Sequence, residues 1–513
     1  MSTSAHHLAA PAATSARVRA TASMRETVPA EARWVVHFTA EYGAYARTGG
    51  LGEAVEGLAR AQARAGHHVV VFLPLYAPVR SGARDLRSLG RARHFTVGSR
   101  LESVRYFRDA GHRGGPHVVF VDAPAYFDRP ELYGDGDAAY PDNHRRFALF
   151  SLAALHGASH LAPRPTVLHA HDWHTGLVPV YLRADPRLAA AFADTPVVFS
   201  VHNAGYQGDF PESAMADLGF DSGSSAIDRL DGGGRFNLLK TGITASDAVV
   251  TVSAAHAAEL VTEVGGFGLH SDFRALGRRL SGVRNGIDRS TWNPATDPHI
   301  GGNFSRDDLS GKVVCKDALQ AEYALPRRAD VPVFVMSTRL VTQKGLDLIL
   351  RSERVRSADA QFVFLGRGER RLHDALAALV GERPANVAVQ FAFTDAREHR
   401  AVAGADFLLM PSLYEPCGLT QMRAQRYGAP VVARDVGGLR DTVDDGETGF
   451  MFTDYDERAF DGALGRALAA FADGEAYRAM QRHAMMRDFG WDHPARQYAR
   501  VYDAAARQAA AVR

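Results

Sequence analysis

Lysine is nearly missing from this chain. Of its 59 basic residues only four are lysine, Lys240, Lys312, Lys316 and Lys344, and none precedes residue 240. A lysine kept against such a bias marks a place where a compact ammonium serves better than a guanidinium fork. Cysteine is as scarce: Cys315 and Cys417 are too few for a disulfide framework and point to a reducing compartment. An excess of either charge is absent too. With 59 basic and 58 acidic residues the net charge is +1, which excludes a polybasic nucleic-acid arm or an acidic tail as the main business of the protein. No apolar run approaches the roughly 18–20 residues that span a bilayer. What is there is ordinary globular material, 513 residues of which 46% are hydrophobic and 23% charged. That length suits about three domains, or two large ones. No nucleic acid and no membrane is expected as a partner, and the expected location is the cytoplasm.

Residues 1–31 are rich in Ala, Ser, Thr and Arg, with no acid before Glu26. They read as a disordered leader; the alternative is an organellar transit peptide, which would place the protein in a plastid. The rest shows a repeated rhythm. The apolar strand Trp34–Phe38 is followed by a Gly-bearing loop, a helical stretch from Glu53, a stop at Gly66 and a second apolar strand at Val69–Leu73. Similar runs recur at 118–121, 166–169, 197–200 and 248–252. After a Pro/Gly/Asp-rich stretch the rhythm restarts at Val333–Met336, then 362–365, 387–390, 407–410 and 430–433. Near-continuous β-branched strands alternating with helices predict sheets buried on both faces, hence an α/β fold with two doubly wound, Rossmann-like parallel sheets. The expected boundaries are a leader at 1–31, a first domain at 32–295, a second at 296–475 and terminal helices at 476–513. Ligands of such sheets sit at the carboxyl ends of the strands, here in the cleft between two lobes.

Five segments fall at strand ends. In Arg47-Thr48-Gly49-Gly50-Leu51-Gly52-Glu53, glycine amides and a helix start suit a phosphate, or simply a tight turn; the pattern is neither a dinucleotide nor a P-loop fingerprint. His169-Ala170-His171-Asp172-Trp173-His174 offers three imidazoles in six residues. A metal site lacks a second ligand cluster of convincing spacing, which leaves a hydrogen bond from one imidazole to a hydroxyl, or histidines satisfied in the core. His202-Asn203-Ala204-Gly205-Tyr206-Gln207 suits sugar hydroxyls or turn chemistry. Arg339 and Lys344, five residues apart at a strand-to-helix corner, can grip a diphosphate, or stand as solvated charges. Glu415-Pro416-Cys417-Gly418-Leu419-Thr420 places one carboxylate at a strand end; Cys417 reads as packing rather than as a nucleophile. Gly437 and Gly438 follow the next strand as further amide donors. Asp135-Gly136-Asp137 looks like a metal-binding acidic pair, but its Gly/Asp-rich setting favours a solvated turn.

Together, R-T-G-G-L, Y-P-D-N, H-D-W-H, H-N-x-x-Y-Q-G, N-G-I-D, R-L-x-x-Q-K-G, E-P-C-G-L-T-Q and G-G-L-x-D-T-V resemble the bacterial glycogen synthase and plant starch synthase family over roughly residues 33–505. The resemblance implies a retaining glucosyltransferase of GT-B architecture that moves glucose from ADP-glucose to the non-reducing end of an α-1,4-glucan, without a metal or other cofactor. It implies that Arg339 and Lys344 neutralise the diphosphate and that Glu415 supports the reacting sugar. His171 would contact the donor sugar near its 6-OH, and Asp142 would lie on the acceptor side. Arg47, Gly49 and Gly50 would hold the distal phosphate, Phe393 would stack on adenine, and Asn237 with Lys240 would line the cleft. His202, Asn203, Tyr206, Cys417, Gly418, Leu419, Thr420, Gly437 and Gly438 complete the expected binding surface. Two departures stand out: Arg47 where the family has lysine, and Glu53 where Asp is common. The alternatives are another GT-B enzyme using a UDP- or GDP-sugar, or a catalytically weak glucan-binding relative. Many of the former carry a second glutamate eight residues after the first, a position held here by Arg423.

Overall fold

The computed structural model describes residues 32–83, 85–111, 115–135, 138–220, 224–228 and 234–512. The expected leader and Asp137 of the acidic pair lie outside them. The first lobe is built on strands β1 (Trp34–Phe38), β2 (His68–Pro74), β3 (Leu86–Ser88), β4 (Arg93–Val97), β5 (Arg100–Asp109), β6 (His117–Asp122), β7 (Val167–His171), β8 (Val197–Val201), β9 (Ala248–Thr251) and β10 (Leu280–Gly282). They join in the order β10-β9-β8-β7-β1-β2-β6-β5-β3, with β4 on β5. From β10 to β6 every pairing is parallel; β5, β4 and β3 add an antiparallel flap. The central strands are buried along their whole length, as their apolar runs require.

The second lobe has six parallel strands: β11 (Val333–Ser337), β12 (Gln361–Leu365), β13 (Val387–Gln390), β14 (Phe407–Met410), β15 (Val431–Arg434) and β16 (Gly449–Phe452), in the order β13-β12-β11-β14-β15-β16. Phe334 stacks between Phe362 and Phe407, with ring centroids 5.3 and 5.1 Å away, so one aromatic row ties three neighbouring strands together. In each sheet the strand order reverses at one strand, β1 in the first lobe and β11 in the second. Loops leaving the carboxyl ends on either side of such a reversal diverge and open a crevice.

Six helices bear on the site: α1 (Gly50–Arg64), α2 (Ala254–Leu260), α3 (Asp395–Gly404), α4 (Thr420–Arg426), α5 (Gly474–Met486) and α6 (Asp492–Val512). Helix α5 packs on α4 of the second lobe. Helix α6 returns to the first lobe. It lays Tyr498, Val501, Tyr502 and Ala505, with Trp491 just before it, against Val35, Ala54, Leu58, Val198 and Val250 of the first lobe. Gly57 leaves room for the Trp491 indole, with which any Cβ there would collide. Trp491 is 4% exposed. Trp491→Ala should therefore lower stability by about 3–5 kcal/mol, the usual cost of emptying a buried aromatic site. An unchanged urea-unfolding midpoint would show that the crossing helix is not anchored there.

Candidate active site

The centre of the site is a buried ion pair. Lys344 lies in the loop after β11 and Glu415 in the loop after β14, and Lys344 Nζ donates to Glu415 Oε2 at 2.6 Å. Their side chains are 13% and 6% exposed. Ser412 Oγ donates to the same carboxylate oxygen at 3.1 Å. The two loops are stitched by backbone: Leu413 N donates to Gln343 O at 2.8 Å, and Gln343 Nε2 to Tyr414 O at 3.1 Å. Gly345 makes this possible. It adopts φ +74°, and a Cβ there would run into the Pro411 carbonyl. Arg339, exposed on the same corner, reaches across to the first lobe, its Nη1 3.5 Å from Tyr206 Oη.

Other loops of the two lobes meet around this pair. Ser253 Oγ donates to Pro416 O at 2.7 Å, and Ala255 N to Asp441 Oδ2 at 3.0 Å. Gly437 N donates to Glu259 Oε1 at 2.7 Å, and Gly438 N to Glu415 O at 2.9 Å. Both glycine amides expected as ligand donors thus carry protein partners here. Gly205 and Asn203 abut Tyr414; a Cβ on Gly205 would come within 2.9 Å of its hydroxyl. Gly49 caps α1, and a Cβ on Gly50 would lie 3.9 Å from Leu419 of the opposite lobe. Gly418 takes φ +71° ahead of Thr420, whose Oγ1 is 3.4 Å from Glu398. Phe393, 38% exposed, precedes α3.

The two departures from the family pattern meet in one place that the sequence did not announce. Arg47 donates to both oxygens of Asp395 at 2.5 Å and to Glu53 at 3.1 Å. Glu53 also binds Arg423, which bonds Glu398 through both carboxylate oxygens at 3.0 Å and lies 4.3 Å over the Trp292 ring. Asp395–Arg47–Glu53–Arg423–Glu398 is a ladder of alternating charge that crosses from lobe to lobe twice. The extra methylene of Glu53 lets one carboxylate reach both arginines.

The histidine strand ends are sealed inside the first lobe. His171 is fully buried, and both ring nitrogens are used: Nε2 pairs with His37 Nδ1 at 2.9 Å and Nδ1 with His202 Nε2 at 3.0 Å. Its ring has no nitrogen left for a sugar hydroxyl, contrary to expectation; His202, largely but not wholly buried, stands between it and the cleft. The nitrogens of His37, His169 and His171 lie close enough to hold an ion, but they are taken up by one another, Gln62, Tyr502 and Ser200. Asp142 forms a two-pronged pair with Arg129 at 2.7 and 2.6 Å. Burial alone would raise its pKa, but Arg129 wins and holds it below the usual range. No contact joins Asp142 to Lys344 or Glu415 among the described residues. Asn237 is also spoken for: it accepts from Lys240 N and donates to Gln207 Oε1 at 2.6 Å, while Lys240 lies 3.6 Å from Asp272. Burial pushes the Cys417 thiol up to about 12, which suits packing.

Two carboxylates were missed. Glu41 accepts from Thr48 N, Thr48 Oγ1 and Tyr133 Oη and so holds the glycine loop in place. Glu259 of α2 meets Gly437. Neither lies in a readable motif; the only hint was an acid inside an otherwise apolar loop or helix.

A cation pair and one carboxylate at the facing reversal points of two Rossmann-like sheets define a two-lobed glycosyltransferase. Comparison narrows the class. The first lobe matches the model described as "Starch synthase catalytic domain" over residues 34–275, and the second "Glycosyl transferases group 1" over 331–470. A glycogen synthase of Anaeromyxobacter sp. (strain Fw109-5) is 41% identical over 91% of this chain and 98% of its own. Glycogen synthase 2 of Geobacter sulfurreducens is 37% identical over 92% and 99%. The catalytic domain of Arabidopsis thaliana starch synthase IV, solved with ADP and acarbose, superposes with a TM-score of 0.85 at 33% identity, covering 93% of this chain and all of that one. The chain belongs to the glycogen synthase/starch synthase family and is a glycosyltransferase. Among the described residues no helix is long and apolar enough to cross a membrane.

Asp172 offers a test of how dry this region is. Its backbone takes φ +56°, and the buried carboxylate accepts from His202 N at 2.7 Å. Burial raises its pKa to about 7, outweighing the backbone hydrogen bonds. The unfolded value is near 3.8. A raised acid contributes stability in full below the unfolded pKa and loses it as pH rises through about 7. Asp172→Asn keeps the acceptor without the charge. It should be more stable than the parent at pH 8, with the gap closing toward pH 4, as read from unfolding midpoints across that range. A gap independent of pH would mean that Asp172 is already solvated.

Proposed function

We propose that the cleft transfers glucose from ADP-glucose to the non-reducing 4-OH of an α-1,4-glucan, with retention at the anomeric carbon and release of ADP. The observation that carries this reading is the Lys344–Glu415 pair, 2.6 Å apart and nearly dry, with Arg339 on the same corner. As the bond between the anomeric carbon and the diphosphate oxygen breaks, its electron pair leaves with ADP, and the charge gathers where an ammonium and a guanidinium already stand. These fixed cations do the work that other enzymes give to a metal, so the reading calls for none. Glu415, held by Lys344 and Ser412, supplies the negative field that a sugar ring with cationic character requires. Phe393 offers a flat face for adenine, for which no specific donor set is needed.

Arg423 speaks against a ribose-binding carboxylate at that position. It is buried between Glu398 and Glu53 and serves the ladder between the lobes. Arg47 shares its guanidinium between Asp395 and Glu53, so donor phosphate would have to compete with those carboxylates for it. We place the enzyme in the cytoplasm, with nucleotide sugar and glucan as its partners.

Incubation with glycogen and each of ADP-, UDP- and GDP-glucose should release nucleoside diphosphate fastest from ADP-glucose. Preference for another nucleotide with a small acceptor, or activity with none, would reject the reading. Lys344→Ala should cut kcat by roughly 100- to 1,000-fold and raise KM far less, because the interaction strengthens as charge develops. A variant with parental kcat would remove Lys344 from that role.

A further inference from the structure

One buried group of the first lobe has no part in the scheme above: Gln62, on the inward face of α1 and 1% exposed. From it hydrogen bonds run unbroken to the cleft. Gln62 Oε1 meets His37 Nε2 at 2.8 Å, His37 Nδ1 meets His171 Nε2 at 2.9 Å, and His171 Nδ1 meets His202 Nε2 at 3.0 Å. His202 ends the row. Its Nδ1 bonds none of the described residues, and the residue, largely but not wholly buried, lies on the strand-end loop whose Tyr206 meets Arg339.

Burial keeps each ring neutral, depressing His37 to about 4, His202 to about 3 and His171 well below its ordinary value. A neutral imidazole has one N–H and one lone pair, so the direction of the first bond dictates all the others. That direction is set at Gln62. Its Nε2 donates to Tyr502 Oη of the crossing helix at 2.7 Å, which turns Oε1, an acceptor only, toward His37. His37 must then carry its proton on Nε2 and accept at Nδ1. His171 must donate from Nε2 and accept at Nδ1, and His202 must donate from Nε2. A side branch is compatible with this: a Tyr502 hydroxyl that accepts from Gln62 is free to donate to His169 Nδ1, 2.9 Å away, and His169 Nε2 then donates to Ser200 Oγ at 2.7 Å. A carboxamide turned end for end would reverse every bond of the row.

We propose that Gln62 fixes the tautomer of the row from His37 to His202 and so leaves His202 Nδ1 unprotonated, a hydrogen-bond acceptor for a hydroxyl of the sugar bound in the cleft. Gln62, His37 and His171 are positioning residues; His202 is the group that touches the ligand. The inference rests on the sugar-transfer reading for the identity of that hydroxyl, but not for the tautomer. Because the ring stays neutral, it cannot become a donor by picking up a proton at neutral pH. A sugar lacking the hydroxyl would leave the lone pair unmet.

The test is a long-range nitrogen–proton spectrum of the full-length protein carrying 15N-histidine, with His202 assigned by its loss in His202→Gln. His37, His171 and His202 should all show pyrrole-like Nε2 and pyridine-like Nδ1. A protonated Nδ1 on His202 overturns the proposal. Gln62→Leu should mix the His202 tautomers and lower kcat/KM for ADP-glucose roughly tenfold, the worth of one misdirected hydrogen bond. Gln62→Glu, still an acceptor toward His37, should restore the parental tautomer and most of the activity. A Gln62→Leu spectrum identical to the parent's removes Gln62 from control of the row. Should that variant not fold, the parental spectrum and Gln62→Glu decide alone. Correct tautomers in a protein inactive with every nucleotide sugar would refute the proposed function and leave the row standing.

Discussion

An ammonium drawn out of water needs acceptors to meet it, and the arrangement of the loops around Lys344 answers that requirement. Removing a compact cation from water is costly, and Glu415 at 2.6 Å offsets the cost. The pair depends on a turn that only Gly345 can make without strain, on the Gln343–Leu413 stitch between two loops, and on the strand reversal at β11 that lets those loops face one crevice. A substrate anion entering here meets a cation that already has a partner. It must share Lys344 with Glu415, which favours a ligand carrying several negative oxygens over a single carboxylate.

The same economy recurs between the lobes. Asp395, Arg47, Glu53, Arg423 and Glu398 alternate in sign, so each of the three inner charges, Arg47, Glu53 and Arg423, sits between two opposites. Pairs exposed as Arg47 and Asp395 are would be worth little alone. Joined to the buried Arg423–Glu398 pair and to the Trp292 face, they form a connected seam. The apolar anchor of α6 and Trp491 on the first lobe supplies the lasting attachment, and the seam adds a contact that salt and ligand phosphate can both weaken.

The parallel strands were legible because burial on both faces leaves no alternation to confuse: Val69–Leu73 and Phe362–Leu365 are apolar at every position. The antiparallel flap was not. β5 reads Arg-Leu-Glu-Ser-Val-Arg-Tyr-Phe-Arg-Asp and keeps only Val104 and Tyr106 buried, so its signal is half solvent. Scarcity of lysine was a sound guide to ammonium sites but not to function. Lys344 meets Glu415, yet Lys316 binds Asp406 at 2.7 Å and Lys312 donates to the Ala403 and Tyr427 carbonyls, both inside the second lobe's framework. The seam between the lobes had no local signature at all. Glu53 and Arg423 stand 370 residues apart, and nothing in either neighbourhood names the other.

The histidines show where motif reading stops short. The segment His169–His174 marks a strand end rich in imidazole, and from composition alone the ring facing the substrate is undetermined. Strand geometry decides it. His171 lies between a ring on β1 and a ring past β8, so its two nitrogens are spent within the sheet's end layer, and the open nitrogen appears one strand farther on, at His202. The single polar residue on the buried face of α1, Gln62, is then no blemish in an apolar helix. It supplies the end that a row of neutral imidazoles needs if its protons are to point one way, and the crossing helix meets that end through Tyr502, whose hydroxyl accepts from the amide nitrogen. The element that fastens the second lobe to the first thus also reaches, by four hydrogen bonds, a ring at the edge of the cleft.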